Sequence, residues 1–131
     1  RVFLGMIEAF CTEHANDDAL AEFVVPLRAA AAESQALAME IGKSAVGNPD
    51  EIGAAAWDYL FHSGYLALAY WWARSVVAAE RSDRPAAFKD AKRETARFYF
   101  ARVLPRTLSH AQAIRAGAPS LMGRQFDTEG V

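Results

Sequence analysis

Asp58 and His62 stand four residues apart, a spacing that puts both on one face of a helix. Such a pair could share a proton, or offer one oxygen and one nitrogen to a metal. One pair at this spacing arises easily by chance, and a hydrogen-bonded Asp–His in or near the core accounts for it more simply. Carboxylate-bridged iron in a helical bundle needs inward-facing Glu-x-x-His pairs. None of His14, His62 and His110 has Glu three residues before it. His14 and His110 have no chemical partner legible along the chain, which places them at helix ends or faces.

Gly42-Lys43-Ser44 has the closing letters of a phosphate-binding loop. That motif also requires glycine at position 37, where Leu37 stands, and a strand ahead of it. There is no Gly-x-Ser-x-Gly elbow and no glycine-rich dinucleotide loop. Cys11 shares an apolar stripe with Leu4, Ile7 and His14, the position of a small buried hydrophobe rather than a nucleophile. Trp57, Trp71, Trp72, Phe98, Tyr99 and Phe100 could line a pocket for a ring, but at helical spacing core packing is expected. Residue chemistry therefore assigns no catalytic residue, no cofactor-binding residue and no metal ligand.

Charge offers one further candidate. Residues 1–65 carry three basic and ten acidic side chains, net −7, whereas residues 66–131 carry eleven and six, net +5. Lys89, Lys92, Arg93, Arg97, Arg102 and Arg106 make a basic stretch, of which Arg93, Arg97, Arg102 and Arg106 are the candidate contacts to a phosphate or an acidic partner. The plainer expectation is mutual attraction of oppositely charged helices, helped by Asp90 and Glu94 at helical spacing.

The elements that must position these residues are all helical: long stretches repeat with helical period and none alternates like a strand. The first helix is expected from Val2 to His14, and Asn16 or Asp17 can cap the next one. The second runs to about Ala45, with a kink or fresh start at Pro26. Asn48, Pro49, Asp50 and Glu51 then read as a helix start. The third runs from Pro49 to about Arg81 and is apolar nearly all round. Only fifteen residues, all uncharged, separate Asp58 from Arg74. A membrane span needs ~20 strongly apolar ones, so this is a core helix. A fourth is expected from Pro85 to Ala116, kinked at Pro105 and ended by Gly117. Short connections between long helices imply an all-α, up-down antiparallel four-helix bundle with long, proline-kinked helices. Residues 123–131 read as a frayed tail.

The 131 residues suit one domain. Alanine supplies about a fifth of them, which favours closely packed helices. A net charge of −2 excludes a polycation built for nucleic acid. A single cysteine excludes an internal disulfide framework and fits a reducing cytoplasm. Residue 1 is Arg, with no secretory leader after it, so the sequence reads as a piece of something longer.

The run Thr95-Ala96-Arg97-Phe98-Tyr99-Phe100-Ala101-Arg102-Val103-Leu104-Pro105-Arg106-Thr107 resembles the last long helix of the acyl-CoA dehydrogenase-like C-terminal domain. Ala116-Gly117-Ala118 followed by Ser120-Leu121-Met122 matches the way those chains finish. The aromatic third helix, Tyr59 to Ala79, sits where the family has its equivalent. This domain is an extra helical module in a branch of bacterial flavoenzymes that includes enzymes resembling 3-methylmercaptopropionyl-CoA dehydrogenase. The resemblance implies a parent oxidoreductase of cytoplasmic fatty acid metabolism that performs α,β-dehydrogenation of an acyl-CoA. FAD and the catalytic glutamate would belong to a preceding core, and an electron-transfer flavoprotein would take the electrons. For this chain it implies no cofactor and no catalytic residue. Its expected role is docking against the dehydrogenase core or a homo-oligomer partner. The alternative is a free-standing helical interaction or adaptor bundle without catalytic activity.

Overall fold

The computed structural model of the chain describes residues 2–123, and every regular element among them is helical. In order these are α1 (Val2–Glu13), a 3₁₀ turn (Asp18–Leu20), α2 (Ala21–Gly47), α3 (Asp50–Arg81) and α4 (Ala86–Phe98). A π-helical segment (Tyr99–Val103), α5 (Arg106–Ala116) and the short α6 (Pro119–Met122) complete the chain. Among the described residues no helix is long and apolar enough to cross a membrane. The expected frayed tail, residues 123–131, lies outside the described residues apart from Gly123.

Two starts carry a side-chain acceptor, the 3₁₀ turn and the turn that opens α3, whereas α2 itself begins after Leu20 without a side-chain cap. The Asp17 carboxylate accepts the Ala19 N–H at 3.0 Å, and the Asn48 side-chain oxygen accepts that of Asp50 at 3.2 Å. Asp50 and Glu51 then occupy the first turn of α3, where the helix dipole favours negative charge. Gly117 has a φ of 73°, the only positive φ among the described residues, and it ends α5. Ala118 N–H then donates to the Glu51 carboxylate at 3.0 Å, tying this turn to the start of α3.

Proline acts differently at its two interior positions. α2 passes through Pro26 as one helix; the fresh start lies upstream, in the 3₁₀ turn. The carbonyl that loses its donor belongs to Glu22, an exposed residue that water can serve. Pro105 has the larger effect, and the single fourth helix expected over 85–116 is corrected to α4, a π segment and α5. Pro105 cannot donate to the Ala101 carbonyl, and its ring crowds that group. The preceding turn widens instead, with Leu104 N–H bonded to the Tyr99 carbonyl at 2.9 Å, five residues back. The added residue turns all of α5 by about 100° relative to an unbroken helix of 3.6 residues per turn.

α3 packs against α2, α4 and α5, and α1 lies on α2. One core cluster gathers Ile7, Phe23, Leu27, Leu66, Tyr70 and Val76 with their neighbours; a second joins Leu37, Ala55, Ala111 and Ile114. Ala69, Ala73 and Ala96 are wholly buried. Alanine at these positions lets helix backbones approach closely, which is the structural use of the alanine-rich composition.

Candidate functional site

The polar groups with chemical potential meet where α3 faces α5. The His110 Nδ1 and an Asp58 carboxylate oxygen are 2.7 Å apart, across 52 residues of chain. Aromatic rings surround the imidazole: Phe61 is stacked on it at 5.6 Å, and Trp57 and Tyr65 each lie 5.7 Å away. The expected Asp58–His62 bond does not form, because α5 presents His110 to the carboxylate from across the helix interface. His62 turns inward and is 0% exposed, with neither ring nitrogen hydrogen-bonded to any group of the protein. Burial pushes its pKa down, Glu33 opposes that shift, and the nearby His110 and Arg115 reinforce it. His62 is therefore a neutral ring held in an apolar site.

An Asp–His pair fixes one imidazole tautomer and can hold a proton. Hydrolytic chemistry would require a nucleophile on the other side of the ring, and among the described residues no serine, threonine or cysteine side chain hydrogen-bonds to His110. Among those residues, also, no three His, Cys, Asp or Glu side chains are placed to hold one metal ion. Cys11 is fully buried, its thiol near the Val24 carbonyl at 3.9 Å. Burial pushes the pKa of that thiol up, the opposite of what a nucleophile needs. Gly42-Lys43-Ser44 lies within the last turns of α2.

The four candidate arginines divide into two groups. Arg97 grips Glu22 through two bonds of 2.8 and 3.0 Å and reaches Glu94 at 2.6 Å. Arg93 bonds to the Ala19 carbonyl at 2.7 Å, to Glu22 at 2.9 Å and to Glu80 at 3.5 Å. The Arg97 guanidinium, with Arg93 beside it, holds the Glu22 carboxyl below the usual carboxylate range, and Glu22 and Glu94 strengthen the protonation of Arg97. Arg102 and Arg106 are exposed, with no side-chain hydrogen bond or ion pair among the described residues. Arg115, which sequence reasoning missed, bonds to Glu40 at 2.9 and 3.1 Å and to Glu33 at 2.5 Å. A signal for it exists in the sequence: Glu22, Glu33 and Glu40 are separated by eleven and seven residues, near-whole numbers of helical turns. The acidic stripe of α2 thus meets the arginines of α4 and α5, the plainer of the two charge expectations.

The aromatic expectation needs correction. Tyr99 is buried and donates its hydroxyl hydrogen to the Tyr65 carbonyl at 2.8 Å, while Trp72 and Phe100 are half-buried. Trp57, Trp71 and Phe98, however, are 52–63% exposed. Helical period identifies a stripe without revealing whether anything covers it. The grooves are open as well. One of about 730 Å³ runs beside α1 and α2, bordered by Leu4, Glu8, Arg28, Gln35 and Tyr59. Another of about 510 Å³ lies between α1 and α3, bordered by Met6, Phe10, His14, Tyr70 and Arg74. A flavin needs several donors converging on its ring and pyrophosphate. Each of these two grooves offers one or two cations already near a carboxylate or an aromatic ring, so neither groove fits FAD.

The family model described as acetyl-CoA dehydrogenase C-terminal like matches residues 3–125. The chain belongs to that family. The match reaches from α1 to α6 and agrees with the resemblance carried by the run around Pro105. Comparison with curated proteins finds no match.

Proposed function

We propose that this chain is the C-terminal accessory domain of an FAD-dependent acyl-CoA dehydrogenase. It packs against the dehydrogenase core, or against a dimer partner, while the core binds FAD and removes the α-proton and β-hydride. The observation that carries this reading is the family match over residues 3–125. Supporting it, the described residues hold their polar groups in pairs that join helix to helix and converge on no substrate-sized site. We read the rods α1, α2, α3 and the α4–α5 limb as running alternately up and down. Contacts such as Glu8 with Arg28, Ser34 with Tyr59, and the successive pairs Tyr65–Tyr99 and Asp58–His110 support that order. Arg102 and Arg106, which no carboxylate among the described residues neutralises, are the side chains we assign to CoA phosphate or an acidic surface of the core; Arg93 and Arg97 are engaged within the domain. An electron-transfer flavoprotein would serve the parent enzyme in the cytoplasm.

Reading the gene upstream of Arg1 tests the proposal. A dehydrogenase core encoded in frame there supports it. A start codon beside Arg1 would instead favour a free-standing interaction bundle.

A further inference from the structure

α3 leaves one side uncovered. Trp57, Leu60, Phe61, Leu68 and Trp71 are each 39–67% exposed. With Gly64, they lie within a sector of about 100° when projected at 3.6 residues per turn. No charge interrupts this face, because Asp58 is turned to His110 and the next charged residue is Arg74. Scattered exposed apolar residues are ordinary, but a continuous apolar stripe marks an interaction surface.

The order of residues on the stripe identifies the occupant. Phe61 apart, whose mirror position is Ala67, the residues Trp57, Leu60, Gly64, Leu68 and Trp71 read the same in both directions, with steps of three, four, four and three. A two-fold axis through Gly64, perpendicular to the helix, sets Trp57 of one copy against Trp71 of the other and Leu60 against Leu68. Each contact then occurs twice, as an isologous interface requires. Gly64 supplies the second argument. A Cβ built there meets nothing within 4 Å in the chain itself, which is equally true of Gly5, Gly42, Gly47 and Gly53, but of these only Gly64 lies between Trp57 and Trp71. Glycine also weakens a helix interior. Its use is at a crossing point, where the missing side chain lets two backbones come close. We propose that α3 pairs antiparallel with α3 of a second copy of this chain, across a two-fold axis at Gly64.

Taking ~200 Å² for a whole aromatic side chain, the exposed parts of these five side chains amount to roughly 400–500 Å² per copy. Two such faces bury on the order of 1,000 Å², the lower end of specific interfaces, which fits a dimer with a micromolar dissociation constant. Arg74, 5.3 Å over the Trp71 ring, sits at the rim, where interfaces are polar.

Sedimentation equilibrium of the full 131-residue chain between about 1 and 200 µM tests the pairing. A reversible dimer is expected. Gly64→Glu sets two carboxylates against each other on the axis, so it should raise the dissociation constant by about 100-fold or more. The same change exchanges glycine for a good helix former at an open position, so the monomer should melt no lower than the parent. Gly64→Cys should form a disulfide-linked dimer under mild oxidation, whereas Val46→Cys, exposed on α2, should not. A chain that stays monomeric, a dimer indifferent to Gly64→Glu, or a Gly64→Cys chain that does not cross-link more readily than Val46→Cys overturns the pairing. None of these results bears on where the flavin of the proposed parent enzyme sits, so the two proposals fail separately.

Discussion

Acidification should weaken this fold through His62. Its ring is 0% exposed, without a protein hydrogen bond, and burial holds its pKa below the ordinary 6.5. As pH falls below about 6.5 the unfolded chain takes up a proton at this residue that the folded chain does not. The unfolded state then binds more protons, so stability falls as pH drops; above that point His62 adds no pH dependence. One proton gives a slope of at most ~1.4 kcal/mol per pH unit. With a urea dependence of ~1–3 kcal/mol per molar, the midpoint should move by at most roughly 0.5–1.4 M per unit. The Glu22 and Glu40 carboxyls, held down by Arg97 and Arg115, contribute their own loss only below the usual carboxylate pKa of 4.5. His62→Leu removes both unpartnered nitrogens, so its slope between pH 6.5 and 5 should be shallower than that of the parent, and it should be the more stable chain in that window. Urea unfolding followed by circular dichroism at pH 7.5, 6.5 and 5.5 provides the readout. Equal slopes in parent and variant would refute the reasoning.

Tyr99→Phe should lower stability by about 1 kcal/mol at neutral pH through loss of the bond to the Tyr65 carbonyl. Burial pushes the Tyr99 phenol up to about 12, so the parent should lose stability as pH rises between 10 and 12, when only the unfolded chain gives up that proton. The variant should lack that share of the loss in the same unfolding assay. Cys11 should resist a thiol reagent in the folded chain and react at the rate of unfolding, with a second measurement in urea as the control. In the proposed parent enzyme, Arg102→Ala combined with Arg106→Ala should raise the KM for acyl-CoA several-fold with kcat little changed. An unchanged KM would remove these residues from phosphate recognition.

Helical period and capping chemistry made much of the scaffold legible in the sequence. The stripe of Leu4, Ile7 and Cys11 marks α1, Asp17 marks the 3₁₀ turn that precedes α2, and Asn48 marks the start of α3. The fourth limb was harder to read because a proline can be absorbed by widening the turn before it, and that choice depends on packing rather than spacing. The error propagated to the histidines. Asp58 and His62 are neighbours along one helix, but the facing of His110 depends on how α5 is turned after the π segment. Arg93 and Arg97 read as a surface for phosphate because their partner, Glu22, lies more than seventy residues away. Trp57 and Trp71 read as core because periodicity cannot distinguish a stripe packed within the chain from one left open.

The proposed division of labour between this chain and a flavin-bearing core can be measured directly, using the visible flavin absorbance and acyl-CoA dehydrogenation with an artificial electron acceptor. The 131 residues purified alone should be colourless, inactive and predominantly helical, while the protein that joins them to a dehydrogenase core should be yellow and active. Stoichiometric FAD and turnover in the 131-residue chain alone would contradict the account.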